Sequence, residues 1–136
     1  MRRPTKKREL YRWHTAAMHG DNPPIHEDEP HCGWFRTRLV RDGVPVPAVI
    51  WMEQPVDSSG ALDGDEYLRC KIHNKEVDPY KAWTWLCKDP ISEATYNYMR
   101  DLLAWAAEHA PDSPEANPHL SIQWGKVPAH SFGDDQ

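Results

Sequence analysis

The sequence predicts an α+β fold: a small antiparallel sheet of three to four strands, one long helix packed on it, and proline-rich arms around both. Three observations lead there. Residues 33–53, GWFRTRLVRDGVPVPAVIWME, set Asp42-Gly43 between two apolar runs, the strongest short-range sign of a β-hairpin. Residues 66–73, EYLRCKIH, alternate apolar and polar side chains as a half-buried strand does. Residues 93–109 repeat apolar side chains at helical spacing, while thirteen prolines keep the other elements short.

A two-residue type I′ turn at Asp42-Gly43 would set the hairpin register. Arg41 then faces Val44, and Leu39, Thr37 and Phe35 face Val46, Ala48 and Ile50 on a core side. The other side pairs Val40 with Pro45, Arg38 with Pro47, Arg36 with Val49 and Trp34 with Trp51. Pro45 and Pro47 fall in non-hydrogen-bonded pairs, where a missing N–H is tolerated. The first half of the second strand is therefore expected at a sheet edge. A third strand would join beside residues 33–41, or only beyond Ala48.

Along the rest of the chain, residues 2–18 predict a helix with Leu10, Trp13, Ala17 and Met18 on one side, ended by Gly20. Residues 21–30 (DNPPIHEDEP) and 55–65 (PVDSSGALDGD) read as acidic loops. After the strand at 66–73, a turn at Asn74-Lys75 leads into Glu76-Val77. Asp78-Pro79 supplies an N-cap acid and a first-turn proline for a helix whose core face is Trp83, Leu86 and Cys87. Ser92 caps the long helix, with Ile91 and Tyr96 at staple spacing. Its stripe is Tyr96, Met99, Leu103 and Ala106, widened by Leu102 and Trp105, and Pro111 ends it. Residues 120–124 predict a last short strand or strap. The implied organisation is a basic then acidic arm over 1–31, a core over 32–124 and a tail over 125–136.

Composition narrows the function classes. Residues 1–12 hold six Lys/Arg against Glu9, whereas the remainder holds ten against twenty Asp/Glu. The basic arm, with Arg2, Arg3, Lys6, Lys7 and Arg8, suits nucleic acid or an acidic partner; the acidic body disfavours broad contact with a duplex. No run reaches the roughly 18 apolar residues of a membrane span. Cys32, Cys70 and Cys87 are too few for a disulfide framework and read as reduced, buried small hydrophobes, without a base nearby to make one a nucleophile.

Two clusters carry candidate chemistry. Trp34, Arg36, Arg38 and Trp51 share the outer hairpin face, which Arg69 and Lys71 extend; aromatic rings beside cations stack the bases of single-stranded nucleic acid. The competing reading packs Trp34 and Trp51 under the long helix, with arginine stems covering them. His14, His19, His26, His31 and Cys32 are ligand types for a zinc-dependent enzyme, yet their spacing fits no standard zinc motif. No cofactor is implied. Glycine-rich phosphate loops, a serine-hydrolase elbow and His-Glu-x-x-His are missing.

One resemblance adds to this. G-W-F-x-x-R-L-V-x-D-G-x-x-V-P-x-x-I-W (33–51), E-V-D-P-Y-x-A-W (76–83), P-I-S-x-A-x-Y-x-Y-M (90–99) and W-A-x-E-H-A-P-D-S-P-x-A-N-P (105–118) together resemble small uncharacterised proteins of tailed bacteriophages and prophages, over about residues 32–120. The resemblance implies a phage origin and action in the host cytoplasm, and brings no active-site residues. The expected function is a non-catalytic interaction protein that binds a protein partner and modulates a nucleic-acid-processing or defence complex. Single-strand nucleic-acid binding by the hairpin face is the rival, and a metal-dependent enzyme at the histidines a distant third.

Overall fold

In the computed structural model, which describes residues 2–122, the chain forms one antiparallel sheet of four strands in the order β1-β2-β3-β4. The strands are β1 (Gly33–Arg38), β2 (Pro45–Glu53), β3 (Tyr67–Ile72) and β4 (Lys75–Val77). The helices are α1 (Lys7–Leu10), α2 (Arg12–Met18), α3 (Pro79–Leu86) and α4 (Glu93–His109), with a 3-10 turn at Pro114–Ala116. The expected α+β class is found.

Phe35, Val46, Ala48, Ile50 and Cys70 are fully buried on one side of the sheet. They join Trp13 of α2, Ala82, Trp83 and Leu86 of α3, and Leu103 of α4 in a single core. Trp83 is at its centre, edge-on to Phe35 (5.8 Å between centroids) and to Trp13 (5.0 Å). A buried indole N–H needs an acceptor. Trp83 Nε1 donates to the His26 carbonyl (2.9 Å) and Trp13 Nε1 to the Pro24 carbonyl (3.0 Å). The proline-rich loop thus satisfies the core's two indole donors.

The hairpin departs from the expected register by two residues. Phe35 lies opposite Ala48 and Thr37 opposite Val46, and Leu39 lies beyond the strand, exposed. Asp42-Gly43 is not a type I′ turn: Asp42 takes φ 63°, Gly43 does not enter the left-handed region, and the Gly43 N–H closes a turn on the Val40 carbonyl. The cause is tertiary. Ser121 Oγ donates to the Arg41 carbonyl (2.6 Å), the Ile122 N–H to the Asp42 carbonyl (2.9 Å) and Arg38 Nε to the Gly43 carbonyl (2.8 Å). The Pro118 carbonyl would stand 3.1 Å from a Cβ at Gly43, so glycine serves close approach here. These contacts hold open a six-residue loop that local turn chemistry would have made tight.

The parity of the prolines survives the shift. Pro45 and Pro47 face Arg38 and Arg36, and the Arg36 N–H points outward to the Asp89 carbonyl (3.0 Å). Residues 89–91 run along the outer edge of β1, with Ile91 N–H on the Trp34 carbonyl (2.9 Å) and Phe35 bridged to Pro90, covering an otherwise open edge. The third strand joins β2 from Ala48 onward.

Several local signals resolve as read, and others do not. The Asp78 carboxylate accepts from Tyr80 N–H and Ser92 Oγ from Thr95 N–H, capping α3 and α4. The single helix expected at 2–18 is broken at Tyr11 (φ −100°, ψ 15°), whose ring stacks on Trp34 at 4.9 Å. Gly20 (φ 79°) ends α2, with Gly20 N–H on the Ala17 carbonyl and Asp21 N–H on the Ala16 carbonyl, the two bonds of a Schellman cap. The β3-β4 turn is His73-Asn74, not Asn74-Lys75, because Ile72 pairs with Lys75. In α4, Met99, Leu103 and Ala106 are buried, but Leu102 and Trp105 are exposed and do not widen the core stripe. Residues 120–122 form no strand; Gln123, Trp124 and the tail at 125–136 lie outside the described residues.

Residues 2–31 make repeated contacts with the rest of the chain. The Leu62 N–H donates to the Arg2 carbonyl, Thr5 donates through N–H and Oγ to Glu66 (3.0 and 2.8 Å), and Gln54 Nε2 bridges Glu66 and the Thr5 carbonyl. Further on, His14 is 4% exposed and its Nε2 lies 3.1 Å from the Trp34 carbonyl and 2.6 Å from the Ile91 carbonyl. Both neighbours are acceptors, so Nε2 carries the proton. This brings the ring onto Gly33, where an added Cβ would meet His14 Cδ2 at 2.7 Å. Gly33→Ala should therefore lower stability by about 1–3 kcal/mol through overpacking. In urea unfolding, the penalty should shrink in a His14→Ala background; equal penalties in both backgrounds would show that the ring is not the obstacle.

Candidate interaction surfaces

The outer face of the sheet is built by strand alternation. Trp34 stands opposite Val49, Val49 opposite Lys71, and Trp51 opposite Arg69; Trp34 and Trp51 are diagonal neighbours, not the facing pair that a tighter turn would give. Each ring already has a partner. Tyr11 stacks on Trp34, and the Arg69 guanidinium lies 5.1 Å from the Trp51 ring centroid.

The arginines on this face are engaged as well. Arg36 holds the Asp89 carboxylate through Nε (2.9 Å) and Nη2 (3.2 Å), and Arg38 donates to the Gly43 carbonyl. Arg69 is clamped between Glu76 and Glu53. The Glu76 and Glu53 carboxylates hold the Arg69 pKa above its ordinary value, and Asp89 does the same for Arg36. Of the four cations proposed for this face, only Lys71 has no hydrogen bond or ion pair among the described residues. A phosphate would have to displace carboxylates already bound in forked geometry.

The N-terminal basic residues divide. Arg2 reaches back to the Gly64 carbonyl (3.1 Å) and the Asp65 carboxylate (3.3 Å), where the second acidic loop meets it. Arg3, Lys6, Lys7 and Arg8 are exposed, with the Lys7 ammonium 5.9 Å from the Tyr11 ring centroid.

The structure scatters the histidines. His14 is spent on two carbonyls, and His31 stacks on Trp13 at 5.8 Å, where burial lowers its pKa. His26 contributes its carbonyl to Trp83, and His19 is exposed at the end of α2. No group of three or more His, Cys, Asp or Glu side chains among the described residues could hold a metal ion.

The cysteines are free and buried. Desolvation pushes the Cys32 thiol up to about 11 and the Cys70 thiol up to about 12, and raises Cys87 too, so none is poised as a thiolate.

A surface that the sequence pattern did not single out lies on α4. Burying Met99, Leu103 and Ala106 leaves Tyr98 (66% exposed), Leu102 and Trp105 (56%) in a second stripe at i, i+4 and i+7, extended by His109, whose ring is 5.3 Å from Trp105. Asp101 and Glu108 flank it, both exposed. The signal was present: α4 carries more apolar side chains than one core face can use.

Thiol chemistry provides a direct check on the buried cysteines. In native protein, a thiol reagent at mildly alkaline pH should leave all three unreacted over the time in which it fully labels denatured protein. Rapid labelling of one thiol in the folded state would identify an accessible cysteine and restore it as a candidate nucleophile.

Compared with known proteins, the chain matches no family model, no curated protein and no solved structure.

Proposed function

We propose that the protein is a non-catalytic interaction module that docks on a partner protein through the outer stripe of α4. In the setting that the phage resemblance suggests, it acts in the host cytoplasm and modulates a nucleic-acid-processing or defence complex. The observation that carries the reading is the exposed Tyr98-Leu102-Trp105 row on a helix already anchored by its opposite side. Aromatic anchors on a rigid helix are the residues that dominate binding energy at protein interfaces, and i, i+4, i+7 spacing is how a helix enters a groove. The flanking Asp101 and Glu108, with an acidic body behind them, suit a groove that is apolar inside and basic at its rim.

Nucleic acid on the hairpin face is the weaker reading, because its rings and three of its arginines hold intramolecular partners. Catalysis by a cysteine is disfavoured by the raised thiol pKa values.

The test compares wild-type protein with Leu102→Asp/Trp105→Asp as bait in host extract, with a benzophenone side chain at position 102 or at position 71 to report contact. A partner crosslinked from 102 but not from 71, and weakened by about 2–4 kcal/mol in the double variant at unchanged thermal stability, would support the reading. Retention of the partner by the double variant, crosslinking only from 71, or a large stability loss in the double variant would overturn it.

A further inference from the structure

The exposed sides of α1 and α2 form a second surface, unrelated to the stripe on α4. Arg8, Arg12, Thr15 and His19 recur at i, i+4, i+7 and i+11, and line one shallow cleft of about 260 Å³ with Ala16 and Asp21. That is several times the roughly 30 Å³ share of one water molecule, leaving room for a small solvated anion. Among the described residues Arg2, Arg36, Arg69 and Arg100 each hold a carboxylate and Arg38 a carbonyl, whereas Arg3, Arg8, Arg12 and Arg41 hold neither, and of these four Arg8 and Arg12 come together at the cleft. Thr15 adds a hydroxyl with no recorded partner among those residues. Asp21 is one carboxylate against two guanidiniums, so the cleft stays positive even with His19 uncharged.

We infer that this cleft binds a phosphate group, with Arg8 and Arg12 as its forks, Thr15 as a hydroxyl donor and His19 at its far end. Planar guanidiniums present paired N–H donors that match phosphate oxygens. The charge distribution points the same way, because the six Lys/Arg of residues 1–12 stand against an acidic remainder and draw an anion to this end of the chain. The phosphate is either a diester of a nucleic-acid strand or the phosphate of a free nucleotide, and the chemistry of the cleft serves both.

The test titrates wild-type protein at low salt with inorganic phosphate, adenosine monophosphate and a short deoxythymidylate oligomer, following backbone amide shifts. Arg8→Gln/Arg12→Gln and, as a charge control outside the cleft, Lys88→Gln are titrated alongside. Glutamine is a good helix former, so the exposed substitutions leave α1 and α2 intact. Amides of residues 8–21 should shift with at least one probe, and the double variant should bind that probe at least about tenfold more weakly, with Lys88→Gln unchanged. Oligomer binding that falls with salt by about 0.7 log units in affinity per log unit of salt for each phosphate held identifies a strand. Equal affinity for the mononucleotide and the oligomer identifies a small ligand. The inference is overturned if none of the three probes shifts these amides, or if Lys88→Gln weakens binding as much as the double variant does.

Discussion

One imidazole N–H fixes how the parts of this fold meet. His14 projects from α2 into the core and donates from Nε2 to the carbonyls of Trp34 in β1 and Ile91 in the segment along its edge. Three stretches distant in sequence share that proton. Its geometry requires the ring to lie against the backbone of β1, and that is possible because residue 33 is glycine. A buried polar group left without its partner costs about 1–3 kcal/mol, a large share of the stability of a small domain. The aromatic core follows from the same placement: with α2 pinned at the start of β1, Trp13 reaches Trp83 and Phe35, and residues 24–26 are carried to where two indole N–H groups need acceptors.

Features governed by local chemistry were legible in the sequence. The caps at Asp78 and Ser92, the stop at Gly20, the alternation of β3 and the parity of Pro45 and Pro47 each depend on a few adjacent residues. Features decided by distant contacts were not. Asp42-Gly43 favours a tight turn taken alone, but residues 118–122 bond to the loop and shift the register by two. A shift of two preserves which side chains face inward, so the core residues were read correctly apart from Leu39. The break at Tyr11 has a similar origin, because the tyrosine ring stacks on Trp34 from another part of the chain.

The candidate sites follow the same division. Counting arginines and tryptophans on one hairpin face suggested an open platform, yet composition does not reveal that Asp89, Glu76 and Glu53 reach those arginines across the fold. Histidines close in sequence became a buried donor to two carbonyls, a stacking partner, a backbone acceptor and a surface residue. Conversely, the α4 stripe and the α1-α2 cleft consist of side chains whose helical spacing was visible, but whose freedom became apparent only once the core and the ion pairs had taken their shares. Charge is thus divided unevenly by the fold: Arg2, Arg36, Arg69 and Arg100 neutralise carboxylates in place, and Arg8 and Arg12 are among the arginines that do not.

The central claim is that His14 Nε2 is a donor locked between two carbonyls. Two-bond nitrogen-proton correlation spectra of the imidazole measure this directly. The account predicts a proton on Nε2, with exchange as slow as that of the most protected backbone amides. A ring protonated only on Nδ1, or an Nε2 proton exchanging freely with solvent while the sheet stays protected, would contradict it.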